Sequence, residues 1–219
     1  MQTELIAEIG VNWKGDLDIA DYLISECKRI GFDAVKFQAF GPEHYSKYPQ
    51  FPNLDKTSIN QNNIKFIDRV AKRESIEWFA TPTNTNAVDL LDAFVKRFKV
   101  RFADQNNSTL LAKVFSTKKP VIISTTKPEQ FSSNIKTLYC IPKYPTPYEE
   151  IEFEKIPFYY GYSNHCKDKR AIINAAKRGA KLIEFHITPS YEENYIDNPV
   201  SFNMADSEDI ICQVRKLSQ

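Results

Sequence analysis

The chain has 219 residues, 42% of them hydrophobic, which is enough for one sizeable core without a split into domains. Its 29 basic and 28 acidic residues nearly cancel, and no strongly basic stretch marks a nucleic-acid groove. No apolar run approaches the ~20 residues of a membrane span, and no basic segment with an apolar leader precedes Leu5-Ile6-Ala7, so a cytoplasmic protein is expected.

Strand-like runs alternate with helical spacing along the whole chain. A first strand is expected over Leu5–Val11, then a helix with Ile19, Leu23, Ile24 and Cys27 on one face. The second strand, Ala34–Phe40, leads into the loop Gly41–Ile59. Pro42, Pro49 and Pro52 interrupt that loop, and it is long enough to be a lid or a binding loop. Ile64, Ile67, Val70 and Ala71 mark the next helix, Glu77–Pro82 the third strand, and Val88, Leu91 and Phe94 a further helix. The fourth strand is read over Phe98–Ala103, followed by a helix with Leu110, Leu111, Val114 and Phe115. Val121–Thr125, Thr137–Ile141 and Tyr159–Ser163 are the next three strands; the segments between them, 127–134 and 145–156, are too short or too rich in proline for full helices. A helix around Ile172, Ile173 and Ala176 precedes the eighth strand, Leu182–Ile187, and Ile210, Ile211, Val214 and Leu217 mark the last helix. Several of these strands are continuous apolar runs, as in parallel sheets covered on both faces. Eight strand–helix repeats predict an α/β fold, a (β/α)8 TIM barrel forming a single domain over residues 1–219. The separated Cys27, Cys140, Cys166 and Cys212 form no CxxC pair and read as buried free thiols.

In such a barrel, side chains at the C-terminal ends of strands face the functional site, and here nearly every strand end is polar. The set includes Glu8, Lys36, Gln38, Thr81, Lys99, Asp104, Ser124-Thr125, Lys143-Tyr144, Ser163-Asn164-His165, Glu184 and His186. Two of the three histidines, His165 and His186, end consecutive strands, so two neutral imidazoles could share one divalent cation; the spacing equally fits two unrelated hydrogen-bonded histidines. Glu184 stands two residues before His186 and points the same way, suited to proton transfer or ligand orientation. Lys36 and Lys99 could form a Schiff base or hold an anion as fixed charges. Their presence together beside a metal site favours anion binding, unless a misphased strand turns them to water.

Longer stretches carry a resemblance. Ile6-Ala7-Glu8-Ile9-Gly10-Val11-Asn12 and Gly31-Phe32-Asp33-Ala34-Val35-Lys36-Phe37-Gln38 open it, followed by Lys119-Pro120-Val121-Ile122-Ile123-Ser124-Thr125. Tyr144-Pro145-Thr146-Pro147-Tyr148-Glu149-Glu150, Gly161-Tyr162-Ser163-Asn164-His165 and Ile183-Glu184-Phe185-His186-Ile187-Thr188 complete it. In this order and over nearly the whole chain, these runs resemble the catalytic barrel of the sialic acid synthase family. The resemblance implies condensation of phosphoenolpyruvate with an aldehyde sugar, typically an N-acetylated aminohexose, to give a nonulosonic acid and phosphate. It implies a divalent cofactor, Mn2+ or Mg2+, on His165 and His186, with Lewis-acid catalysis and positioning as the mechanism. By the same match Lys36, Thr81, Lys99, Ser124 and Ser163 hold phosphoenolpyruvate. Glu8, Gln38, Tyr144, Glu184 and Asp197 serve the sugar, the water or proton transfer.

The chain also departs from that pattern. Where the family has Lys-Ile-Gly-Ser-Gly-Glu, this chain reads Lys99-Val100-Arg101-Phe102-Ala103-Asp104, losing a phosphate-binding serine and two glycines. Pro142 replaces an asparagine, Asn164 an aspartate, and Phe185 a basic residue. The family's C-terminal antifreeze-like domain, which caps a partner's sugar pocket, is expected to be absent after Gln219. The loop Gly41–Ile59, with rings at His44, Tyr45, Tyr48 and Phe51, then becomes the expected cover, unless those rings only pack the loop against the barrel. A homodimer or a separate capping protein could complete the pocket. Against the synthase stand a repurposed, non-catalytic relative that binds a sugar or acidic ligand as a partner subunit, favoured by Phe102 and Pro142, and a Schiff-base aldolase.

Overall fold

The apolar runs pair as eight parallel strands: β1 (Glu4–Gly10), β2 (Ala34–Ala39), β3 (Glu77–Pro82), β4 (Phe98–Val100), β5 (Val121–Thr125), β6 (Ile135–Tyr139), β7 (Gly161–Asn164) and β8 (Leu182–His186). This computed structural model describes residues 2–46, 53–128 and 134–217. The hydrogen-bonded order is β3-β2-β1-β8-β7-β6-β5-β4, and its two end strands lie against each other, nearly closing a TIM barrel. Every residue of β5 and of β8 is buried, as expected of strands covered inside by barrel side chains and outside by helices.

The helical layer comprises α1 (Leu17–Ile30), a single turn α2 (Pro42–Tyr45), α3 (Ile64–Arg73), α4 (Thr85–Asp92), α5 (Ser108–Ser116), α6 (Arg170–Lys177) and α7 (Met204–Lys216). α1 shows why these segments fold locally. The Asp16 carboxylate caps it by accepting from Asp18 N and Ile19 N, Gly31 ends it at φ +101°, and Ala20, Leu23, Ile24, Cys27 and Ile30 form its buried face. Asn84, Asn107 and Asn203 cap α4, α5 and α7 in the same way.

After β6 the crossover is two 3-10 segments, Tyr148–Glu150 and Phe153–Phe158, with Pro157 inside the second. No α-helix lies between β5 and β6 among the described residues. β7 begins at Gly161, where a side chain would meet the Leu182 carbonyl of β8 at 1.8 Å; only glycine lets these two strands approach so closely.

β1, β2 and β8 end one residue earlier than expected, at Gly10, Ala39 and His186, and larger corrections fall on β4, β6, β7 and one burial. β4 stops at Val100, because Phe102–Asp104 turn into a 3-10 segment closed by Asp104 N donating to Arg101 O at 3.0 Å. β6 is Ile135–Tyr139 rather than Thr137–Ile141, its register set by Val121 opposite Ile135. β7 starts two residues later than expected because the 3-10 segment before it runs to Phe158. Cys27, Cys140 and Cys166 are buried free thiols, but Cys212 is exposed. Among the described residues no helix is long and apolar enough to cross a membrane.

Candidate active site at the barrel mouth

Side chains alternate along a strand, so Lys36 and Gln38 of β2 point the same way, as do Glu184 and His186 of β8. Strand register then aligns them: Glu8 lies opposite both Lys36 and His186, and Gln38 opposite Thr81. The result is a cavity of about 820 Å³ at the C-terminal ends of the strands. Every residue given a role above lines it: Glu8, Lys36, Gln38, Thr81, Lys99, Ser124, Tyr144, Ser163, His165, Glu184, His186 and Asp197.

Its floor is a buried charge cluster. Lys36 Nζ lies 2.5 Å from Glu8 Oε2 and 3.8 Å from Glu184 Oε1, and donates to Thr81 Oγ1 at 3.1 Å. Lys99 Nζ donates to Glu184 Oε1 at 2.7 Å, and Ser163 Oγ reaches the same oxygen at 3.3 Å. Gln38 Nε2 donates to Glu8 Oε1 at 2.7 Å. Burial works against ionisation of Glu184, but the two neighbouring ammonium groups overcome it and hold the carboxyl at about 2. For Glu8 burial prevails over the attraction of Lys36 and raises the carboxyl; burial also lowers the Lys99 ammonium, against the pull of Glu184. Two buried cations are thus held by two buried carboxylates. Glu184 Oε2 and Ser124 Oγ are buried there without a hydrogen-bond partner, which suits a polar ligand completing the network.

Above this floor the imidazoles of His165 and His186 stand with ring centroids 5.5 Å apart. His186 Nδ1 lies 3.1 Å from Asp197 Oδ2, and His165 Nδ1 lies 3.8 Å from Cys140 Sγ. The Nδ1 atoms thus face Asp197 and Cys140, and that of His186 is buried without a hydrogen bond. Burial keeps His165 neutral, down to about 3. In His186 burial is overcome by the Asp197 carboxylate and the value rises. Tyr144 Oη donates to Asp197 Oδ1 at 2.6 Å, and its ring borders both histidines at 5.0 and 5.7 Å. Among the described residues no group of three or more His, Cys, Asp and Glu side chains is arranged to hold a metal ion.

Asp197 is far from any strand, and the chain brings it back by a short bridge. Ile187 pairs with Phe202, Phe202 N donates to His186 O at 2.9 Å, and Asn12 Oδ1 accepts from Asp197 N at 3.1 Å. The fully buried Asn12 also donates to Ile187 O and Ser201 Oγ. Gly10, at φ +54°, leaves the space beneath this junction. A side chain there would stand 3.1 to 3.2 Å from Glu8 Oε1, Asp197 Oδ2 and Gln38 Nε2.

Sequence reasoning assigned no site role to Asn12, Gly10, Cys140 or Arg101. Asn12 and Gly10 lay in a quoted motif, and Cys140 sits at a strand end; Arg101 stood two residues past the inward Lys99, a spacing that would have found it. Asp104, expected at the site, is instead bound to Arg101 beside the cavity, with Arg101 Nε donating to Asp104 Oδ2 at 2.5 Å. Phe102 and Pro142 line the cavity as apolar wall. Asn164 turns back to bond the Cys166 backbone, and Phe185 packs outward against Phe32 and Phe202. In the expected cover loop, His44 lines the cavity, stacked on Phe40 at 4.3 Å. The Tyr45 side chain, Tyr48 and Phe51 lie outside the described residues.

The model of the NeuB family matches residues 23–219. The chain belongs to the NeuB family. A Methanocaldococcus jannaschii protein without an assigned function is 30% identical to it, over 97% of this chain and 70% of the relative. The N,N'-diacetyllegionaminic acid synthase of Campylobacter jejuni is 26% identical, over all of this chain and 77% of that enzyme. Among solved structures, a sialic acid synthetase from Leptospira borgpetersenii superposes with a TM-score of 0.88 at 23% identity, over 100% of this chain and 85% of that one. The SpsE spore coat polysaccharide biosynthesis protein of Bacillus subtilis superposes with a TM-score of 0.84 at 26% identity, over 99% of this chain and 68% of its own.

Proposed function

We propose that this NeuB-family barrel condenses phosphoenolpyruvate with an aldehyde sugar, of the N-acetylated aminohexose kind, to give a nonulosonic acid and phosphate. The observation that carries the reading is the buried floor of Lys36 and Lys99, ringed by Thr81, Ser124 and Ser163, directly below two imidazoles. The two ammonium groups hold the anionic substrate, exchanging their carboxylate partners for its oxygens. His165 and His186 would hold a divalent cation, Mn2+ or Mg2+: the two rings stand 5.5 Å apart in the cavity wall and His165 is held neutral by burial. That cation, when bound, supplies Lewis-acid polarisation of a carbonyl oxygen.

The methylene carbon of phosphoenolpyruvate bonds to the aldehyde carbon, water adds at the neighbouring carbon that carries the phosphate, and the C–O bond to phosphate breaks as the new hydroxyl there becomes the keto group and its proton passes to the departing phosphate. The hydroxyl formed from the aldehyde needs one proton and the attacking water loses one. Glu8, whose carboxyl is raised by burial, lies where such a proton can be held, with Gln38 fixing its orientation. Asp197 holds His186 and Tyr144 in place beside the sugar position. The apolar Phe102 and Pro142 in the wall favour a second reading, a partner subunit that binds a sugar or acidic ligand without turnover. The experiment is phosphate release from phosphoenolpyruvate with manganese and a panel of aldehyde sugars, with products identified by mass spectrometry. A nonulosonic acid formed with phosphate supports the synthase; ligand binding without phosphate release supports the second reading.

A further inference from the structure

The cavity has a cation that the proposed chemistry does not yet use. Arg101 follows the last residue of β4, two positions beyond Lys99, and lines the same cavity. Its Nε donates to Asp104 Oδ2 at 2.5 Å, and His44 Nδ1 lies 3.3 Å from its Nη2. These contacts come from two different loops and hold the guanidinium plane from one edge. A guanidinium carries five N–H donors, so the Nη1 end remains available; among the described residues Nη1 has no protein partner.

The other lining cations are already committed. Lys36 and Lys99 are bound to Glu8 and Glu184, and the half-exposed Lys143 pairs with Glu150. Arg101 is paired as well, with Asp104 through Nε, but its guanidinium keeps further donors that have no protein partner among the described residues. A planar fork held by a carboxylate on one edge is suited to two oxygens of a phosphate group rather than to a neutral hydroxyl. Its wall neighbours Phe102 and Ala103 offer no competing side-chain donor.

We infer that Arg101 binds the phosphate group of a substrate at the cavity rim, above the two lysines, with Asp104 and His44 as its positioning residues. The assignment rests on the proposed phosphoenolpyruvate chemistry. The phosphate belongs either to phosphoenolpyruvate or to a phosphorylated aldehyde sugar, and the arms of the test separate them.

Calorimetry with the manganese-loaded protein measures inorganic phosphate, phosphoenolpyruvate, and an aldehyde sugar with and without a terminal phosphate. The proteins are wild type, Arg101→Gln and Arg101→Lys, with circular dichroism confirming their folds. Loss of the fork should weaken the phosphate-bearing ligand about 10- to 100-fold and leave the unphosphorylated sugar unchanged. Arg101→Lys should fall between, since it keeps the charge without the fork. Weakening of phosphoenolpyruvate and inorganic phosphate together assigns the enol phosphate; weakening of the phosphorylated sugar alone assigns the sugar. Equal binding of every phosphate ligand by wild type and both variants overturns the role of Arg101 and leaves the synthase reading intact. A wild type that binds none of these ligands overturns both. If Arg101→Gln fails to fold, Arg101→Lys decides by the same comparison.

Discussion

Replacing Lys99 by methionine removes one half of a buried ion pair whose side chains are only 3% and 5% exposed. Breaking such a pair typically costs about 3–5 kcal/mol, mostly because a charge is left buried without its partner. Here Lys36 stays 3.8 Å from the same carboxylate oxygen and Ser163 still donates to it, so the lower end, about 3 kcal/mol, is expected. For a chain of this size that corresponds to a fall in Tm of about 6–12 °C. Glu184→Gln leaves Lys99 unpaired instead, at a smaller cost because Lys99 can shed its proton. The double variant Lys99→Met/Glu184→Gln has no orphaned charge at this pair, and the cycle should give a coupling of about 2 kcal/mol or more. Urea unfolding of all four proteins measures it. Glu184 has its folded value at about 2, below the ~4.3 of an unfolded chain. Its stabilising contribution is therefore complete above about pH 4.3 and is lost as the pH falls through about 2. Additive losses, or a Lys99→Met cost under about 1 kcal/mol, would refute the desolvated pair.

Titration with Mn2+ should show one site per chain, lost in His165→Ala and in His186→Ala; unchanged binding in the double variant would rule these two residues out as ligands. His165 keeps its proton off down to about 3 whereas an unfolded histidine takes one near 6.5, so the unfolded chain binds more protons between these values. Stability of the metal-free protein should fall with pH across that window, and His165→Asn should flatten the slope; an equal slope would contradict the buried neutral ring. Lys36→Met should weaken phosphoenolpyruvate more than the sugar in calorimetry, and a reversed preference would displace Lys36 from the anion site. Gly10→Ala puts a side chain at φ +54° against Glu8, Asp197 and Gln38; a loss of about 1–3 kcal/mol in urea unfolding is expected. Unaltered stability would mean that the junction yields easily.

The repeating periods of two and 3.6, and the polar residues closing each strand, belong to local sequence, so the barrel and most of the inward set from Glu8 to His186, though not Asp104 or Asn164, were legible before any contact was known. The weak crossover after β6 was legible too, because Pro145 and Pro147 remove backbone donors that a helix there would need; most of the crossover after β5 lies outside the described residues. Strand ends were less so: β4 stops at Val100 because Asp104 and Arg101 close a turn, and β6 starts at Ile135 because Val121 is its neighbour. Who meets whom across the cavity was decided only by closure of the barrel. Lys36 and Lys99 read as free anion-binding cations, yet each is already held by a carboxylate from another strand, Glu8 on β1 or Glu184 on β8. Asp197 reaches His186 only because Asn12, at the other end of the chain, and the Ile187–Phe202 bridge fold its loop over the mouth. Local periodicity can specify which way a side chain points, but charge pairing depends on distances between strands that sequence separation does not encode.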